Sequence, residues 1–191
     1  MRHLHLEKKG IRGLAIAESF SQDSKKSVLS GIVMSTDLTI DGFVMGHSMV
    51  GGDDATDAIL DMYKKLNRPD VSFLLISGIV ISLYNIIDLK RISEEIGLPV
   101  IGITYEESKG IVDAIKHHFP DSYESKLTEY SNLGSREKIT LHTSHNLYIR
   151  NEGCTMLEAK QLLDKLTLQG SVPEPLRISQ LLANTLLKAK F

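Results

Sequence analysis

Residues 12–45, RGLAIAESFSQDSKKSVLSGIVMSTDLTIDGFVM, decide the fold. Arg12 to Glu18 reads as a first strand and the polar stretch Ser19 to Ser27 as its loop. Val28 to Ser35 and Leu38 to Met45 are two further apolar runs divided only by Thr36-Asp37. Runs so closely spaced predict an antiparallel hairpin, which with the first strand makes a three-stranded start.

Beyond it the pattern changes to alternating elements. Gly51-Gly52-Asp53-Asp54-Ala55-Thr56 is a glycine turn followed by carboxylates suited to a helix start, and Ala58, Ile59, Met62 and Leu66 form a helical stripe. After Arg68-Pro69-Asp70, the continuous apolar run Val71 to Ile76 is of the kind buried on both faces of a parallel sheet. A helix over residues 85–96 and a strand over residues 99–103 complete a βαβ unit. Helices are predicted around residues 108–118 and 122–133, weak strands over 138–142 and 146–149, and a helix across 155–167. Three antiparallel strands leading into parallel βα units is the RNase H-like order, an α/β mixed sheet flanked by helices. No repeat or low-complexity linker interrupts it, so residues 1–191 read as a single domain.

The chain closes on Ser171-Val172-Pro173-Glu174-Pro175-Leu176-Arg177 and a helical pattern. Proline suits a helix's first turn, because its fixed φ is already helical and its missing N–H would be unpaired there. Leu176, Ile178, Leu181, Leu182, Thr185, Leu186 and Ala189 then recur at three- and four-residue spacing, which predicts one apolar face docked on the body.

Composition excludes several classes. Hydrophobic content of 42% and charged content of 24% are those of an ordinary globular chain. The longest apolar stretch, Phe73 to Leu83, is broken by Ser77, Gly78 and Ser82 and is too short to span a bilayer, so no membrane partner is expected. The single Cys154 cannot form an intramolecular disulfide and reads as a packed thiol in a cytoplasmic protein. A net charge of −2 argues against a strongly basic nucleic-acid binder. Local basic groups remain, however, at Arg2, Lys8, Lys9 and Arg12 and again at Lys160, Lys165, Arg177, Lys188 and Lys190.

The acids carry two readings each. Asp53 and Asp54 read either as carboxylates satisfying a helix N-terminus or as ligands. Asp41 marks a turn or points into the same cleft. Asn85 and Asp88 start a helix just beyond a central strand, where open α/β sheets bind ligands, and Glu106 and Glu107 follow the next strand. His117 and His118 read as exposed, His142 and His145 lack a partner at metal spacing, and Met34, Met45 and Met49 read as core filler.

Several of these segments resemble one archaeal family, domain of unknown function 99, which is related to endonuclease V. They are Lys9-Gly10-Ile11-Arg12, the strand ending Ala17-Glu18-Ser19, Asp41-Gly42-Phe43-Val44, Gly52-x-Asp54-Ala55-Thr56, Asn85-Ile86-Ile87-Asp88, Tyr105-Glu106-Glu107-Ser108 and the Pro-Glu-Pro helix start. The resemblance implies an RNase H-like sheet that places carboxylates around Mg²⁺ or Mn²⁺ and acts on nucleic acid near deaminated purines. Hard cations of this kind take oxygen ligands and activate water. The carry-over is uneven. The first-strand Asp of endonuclease V falls on Ala17, with Glu18 one position along, and one step on a strand reverses the face. Its second carboxylate falls on Asp53 or Asp54, its third on Ser77, its lysine on Tyr105 and its histidine near Gly170. Its wedge of Pro and Tyr becomes Leu38-Thr39-Ile40-Asp41.

The expected catalytic residues are therefore Glu18, Asp54 and Asp41, the expected metal ligands Glu18, Asp53, Asp54 and Asp88, and the expected contacts to DNA or RNA Arg177, Lys9 and Arg12. Three readings stay open: an endonuclease V-like protein with an altered site, a binding protein that kept the fold and lost cleavage, and an enzyme or sensor for a small nucleotide. Oligomeric state is not legible.

Overall fold

The computed structural model describes residues 4, 6–8, 10–107, 110–121 and 123–189. Its centre is a seven-stranded mixed sheet. The start is antiparallel as expected: β1 (Arg12–Ser19), β2 (Lys26–Ser35) and β3 (Ile40–Met49) pair in sequence order. Helix α1 (Ala55–Leu66) leads to β4 (Val71–Ser77), which lies parallel to β1, and α2 (Leu89–Ile96) leads to β7 (Val100–Thr104), parallel to β4. Between β4 and α2 sits a small hairpin, β5 (Val80–Ile81) and β6 (Asn85–Ile86). Helices α3 (Val112–His118) and α4 (Tyr123–Asn132) precede β8 (Glu137–Thr140) and β9 (Asn146–Glu152), and α5 (Met156–Leu166) and α6 (Glu174–Lys188) close the chain. The order is β3-β2-β1-β4-β7-β9-β8, with β9 antiparallel to both its neighbours.

Alternation along the central strands divides the core into two layers. Leu14, Ile16, Leu74 and Ile76 face α1 and α2 with Ile59, Met62 and Ile92. Ala15, Phe73, Leu75, Ile101 and Ile103 face α5 and α6 with Leu162, Leu163, Leu166 and Leu176. Strand β4 is covered on both sides, as its continuous apolar run implied.

Three expectations are corrected. Asn85 opens no helix; it belongs to β6, and the helix begins at Leu89. The terminal helix does not dock by its leucine stripe alone. Leu176, Ser179 and Ala183 are buried, whereas Leu181 is 54% exposed. Small residues win because α6 lies close over β1 and β2. There the Ser30 and Ser179 hydroxyls meet at 2.8 Å, and each hydroxyl also donates to the other residue's carbonyl, at 2.6 and 2.9 Å. Of the three methionines, only Met34 is core; Met45 and Met49 lie exposed on the edge strand β3.

Candidate functional site

The carboxyl ends of β1, β4 and β7 lie side by side at one edge of the sheet, the end at which open α/β folds bind ligands. Glu18 is the one acid on β1 and its last residue but one. It alternates with Leu14 and Ile16, so its side chain enters the α1 side, where Oε2 accepts the Ser82 backbone N–H at 3.1 Å. Its other oxygen, Oε1, is shut off from solvent without a hydrogen-bond partner among the described residues.

Ser82 belongs to the turn between β5 and β6, where Ser82, Leu83 and Tyr84 have φ of 27°, 57° and 67°. Left-handed conformation in a non-glycine residue costs about 1–2 kcal/mol each, so three in a row persist only where the surroundings impose them. The impositions are visible. Gly51 N–H donates to the Ser82 carbonyl at 2.7 Å, and Lys126 Nζ donates to the Tyr84 carbonyl at 3.1 Å. The Tyr84 ring packs edge-on to Phe119 and beside His118.

Lys126 reaches this turn from α4 and is 4% exposed. Besides Tyr84 it donates to the Gly52 carbonyl at 3.3 Å, pairs with Asp53, and lies 4.7 Å from the centre of the Phe119 ring. One ammonium thus ties α4 to both loops beside Glu18. Lys126→Ala leaves two carbonyls without their donor, at a cost of about 1–3 kcal/mol. We expect a folded protein in which hydrogen exchange of Ser82 to Asn85 is at least tenfold faster; unchanged protection there would show that the turn holds itself.

Asp54 stands at the N-terminus of α1 but does not cap it. Its carboxylate accepts from the Met49 N–H at 2.9 Å and from Asn85 Nδ2 at 2.8 Å, while Asn85 Oδ1 accepts the Ala55 N–H at 3.0 Å. Asn85, fully buried, does the capping from outside the helix.

On the opposite face, Ser77 and Tyr105 alternate with Phe73, Leu75, Ile101 and Ile103 and so turn towards α6. With Leu176, Arg177 and Gln180 they line a cavity of about 230 Å³. The Tyr105 hydroxyl is buried and makes no hydrogen bond of good geometry among the described residues; burial pushes its phenol above the ordinary value, and the nearby Ser77 hydroxyl works the other way. Gln180 donates to the Glu18 carbonyl at 2.7 Å, which joins the two faces. Arg177 is half-exposed and forks onto Glu174, with Nη2 to Oε2 at 2.6 Å. Ala17, 1% exposed, also lies on this side. The two strand positions assigned acids by the resemblance thus share a face, and neither carries charge.

The remaining expected residues are dispersed. Asp41 pairs with Arg12 at the start of β1, and Arg12 also lies 3.5 Å from Asp70. Six residues of strand, about 20 Å, separate them from Glu18, so neither belongs to this edge. Asp88 caps α2 by accepting the Arg91 N–H at 2.9 Å. Asp53 is taken by Lys126, and Lys9 lies outside the described residues. Among the described residues, no three His, Cys, Asp or Glu side chains are placed to hold a metal ion. Cys154 is a packed thiol whose pKa burial pushes up to about 12.

Ser82 and Lys126 were not legible as site residues. The turn has no glycine or asparagine to mark its left-handed backbone, and a lone lysine on a polar helix looks like any solvated charge.

A sequence profile of the family described as endonuclease dU matches residues 9–187. A UPF0215 protein of Pyrobaculum calidifontis is 34% identical over 172 residues, covering 90% of this chain and 94% of its own. A crystal structure of a protein of unknown function from Archaeoglobus fulgidus superposes with a TM-score of 0.79 at 25% identity, covering 92% of this chain and 97% of its own. Endonuclease V of Ciona intestinalis, solved with a 24mer DNA containing an inosine, superposes with a TM-score of 0.64 at 13% identity, covering 97% of this chain and 89% of its own. That last likeness is one of fold. No helix among the described residues is long and apolar enough to cross a membrane.

Proposed function

The chain belongs to the endonuclease dU family, and from that premise we propose that it cuts DNA at deoxyuridine, using the edge formed by the carboxyl ends of β1, β4 and β7. One observation carries the reading. The three buried side-chain polar atoms without a partner among the described residues all lie at this end of the sheet, Glu18 Oε1 and Ser82 Oγ by its α1 face and Tyr105 OH by its α6 face. Buried polar groups are nearly always hydrogen-bonded, and leaving one unmade costs about 1–3 kcal/mol. An edge that concentrates them, beside a strained turn, is one that a polar ligand completes. Glu18 supplies the charge available to take a proton, and Arg177 stands exposed at the rim for a phosphate.

The resemblance to endonuclease V also implies Mg²⁺ or Mn²⁺. The donor set does not fit that expectation: Asp53, Asp54 and Asp88 are each committed to other partners, Asp41 is remote, and Glu18 stands alone. We draw no step through a metal. The uncharged Ala17 and Ser77 favour a second reading, a DNA-binding protein that does not cut.

The intact protein, assayed with Mg²⁺ or Mn²⁺ on labelled strands carrying one deoxyuridine, one inosine or neither, separates these readings. We expect incision of the deoxyuridine strand at least tenfold faster than of the inosine strand, since the wedge, the lysine and two acids of the inosine enzyme are missing. Tight binding of the deoxyuridine strand without incision would replace cleavage by the second reading, and equal behaviour on all three strands would contradict both.

A further inference from the structure

The outer edge of β3 is open. At one end of the strand the Met49 N–H donates to the Asp54 carboxylate at 2.9 Å, and the Met49 carbonyl accepts the Gly52 N–H at 3.1 Å. At the other end the Asp41 carbonyl accepts Arg68 Nη1 at 3.1 Å. These groups point away from β2, and residues of an antiparallel strand alternate between bonding their neighbour and facing outward. The N–H and C=O of Phe43, Met45 and His47 therefore turn off the edge, and no partner among the described residues meets them.

The side chains of the same three residues lie on the α6 face, since Met45 stands beside Ser30 in the register and Ser30 meets Ser179. Helix α6 packs on β1 and β2 and leaves this row bare: Phe43 is 56% exposed, Met45 41% and Met49 42%. Sheets guard an open edge with lysine, proline, an inward charge or a covering segment. Residues 42–49, Gly-Phe-Val-Met-Gly-His-Ser-Met, contain no lysine, arginine, acid or proline. An edge left so is one that pairs.

We propose that β3 pairs antiparallel with β3 of a second copy of this chain, about a two-fold axis at Met45. The three open residues are symmetric about that point: Met45 faces Met45, and Phe43 faces His47 in both directions. Each such pair exchanges both main-chain hydrogen bonds, and the aromatic pairs add a cross-strand contact. With no lysine, arginine or acid between Gly42 and Met49, the symmetry sets no like charges together there. Residues 41–49 overlap for about 30 Å, and side chains reach about 10 Å to either side of a sheet. The copies then bury roughly 600 Å² each, about 1,200 Å² together, the lower end of what stable interfaces bury. A self-complementary patch of this kind closes into a dimer and extends no further. The edge shares no residue with the site proposed for deoxyuridine, so the claim goes beyond that reading and requires no cleavage.

Sedimentation equilibrium and hydrogen exchange on the intact protein test it. We expect a dimer at roughly 50 µM protein, with the Phe43, Met45 and His47 amides protected. Met45→Lys sets two ammoniums together at the two-fold axis. It should weaken self-association at least tenfold and speed exchange at those three amides at least tenfold, with the fold retained by circular dichroism. Should Met45→Lys fail to fold, the parent alone decides: exchange at the three amides that slows as protein concentration rises supports the pairing. A parent that stays monomeric, a dimer unchanged in a folded Met45→Lys variant, or a dimer whose three amides exchange freely overturns it. Protection that appears in a monomer only when single-stranded DNA is added also overturns it, and assigns the edge to that strand.

Discussion

Glu18→Gln should reduce incision of deoxyuridine strands by at least about a hundredfold, the lower end of what a positioned acid or base contributes to rate. The exchange is nearly isosteric. The amide keeps an oxygen for the Ser82 N–H at the position of Oε2, so the strained turn retains its anchor. What disappears is the charge, together with the capacity of Oε1 to take a proton. Melting temperature and strand affinity should therefore stay close to those of the parent while rate falls. A Glu18→Gln protein that cuts at the parental rate would remove Glu18 from the chemistry, and one that melts much earlier would show its role to be structural.

The second large effect concerns the sheet itself. Gly13 lies opposite Phe73 in the β1–β4 register, directly after the irregularity at Arg12. A Cβ at Gly13 would fall 1.9 Å from Phe73 Cε2, and the ring is 1% exposed within the α5–α6 layer. Neither β1 nor the ring has room to retreat. Overpacking of this kind costs about 3 kcal/mol, or roughly 6–12 °C in a chain of this size. Gly13→Ala should show that loss by thermal or denaturant melting, and adding Phe73→Leu should recover part of it. A Gly13→Ala protein as stable as the parent would mean that the ring is not held where the register puts it.

How much of this was legible follows from the kind of signal each feature leaves. Closely spaced apolar runs specified the β1–β2–β3 meander, and the uninterrupted Val71–Ile76 run specified a doubly covered centre, because burial leaves a periodic trace. The β5–β6 hairpin left none. Its apolar residues fit a helical spacing, and its turn uses Ser82, Leu83 and Tyr84 where glycine or asparagine would have announced it. A hairpin turning at Thr36-Asp37 returns Asp41 to the Arg12 end of β1, so the hairpin spacing itself places Asp41 away from Glu18. Glu18 was recognised as an acid, but its face depended on strand alternation that only the register fixes. Lys126 acts by reaching from α4 to loops distant in sequence, and convergence has no local pattern.

The central claim is one of place: deoxyuridine meets this protein at the carboxyl ends of β1, β4 and β7. DNA carrying 5-iodouracil at the target position, photo-crosslinked to the intact protein and mapped by peptide mass, tests it most directly. The account predicts crosslinks on Tyr105 and on the Ser77–Tyr84 segment, reduced by excess unlabelled deoxyuridine strand. Crosslinks confined to the Arg12–Asp41 end of the sheet or to the exposed β3 edge would contradict it.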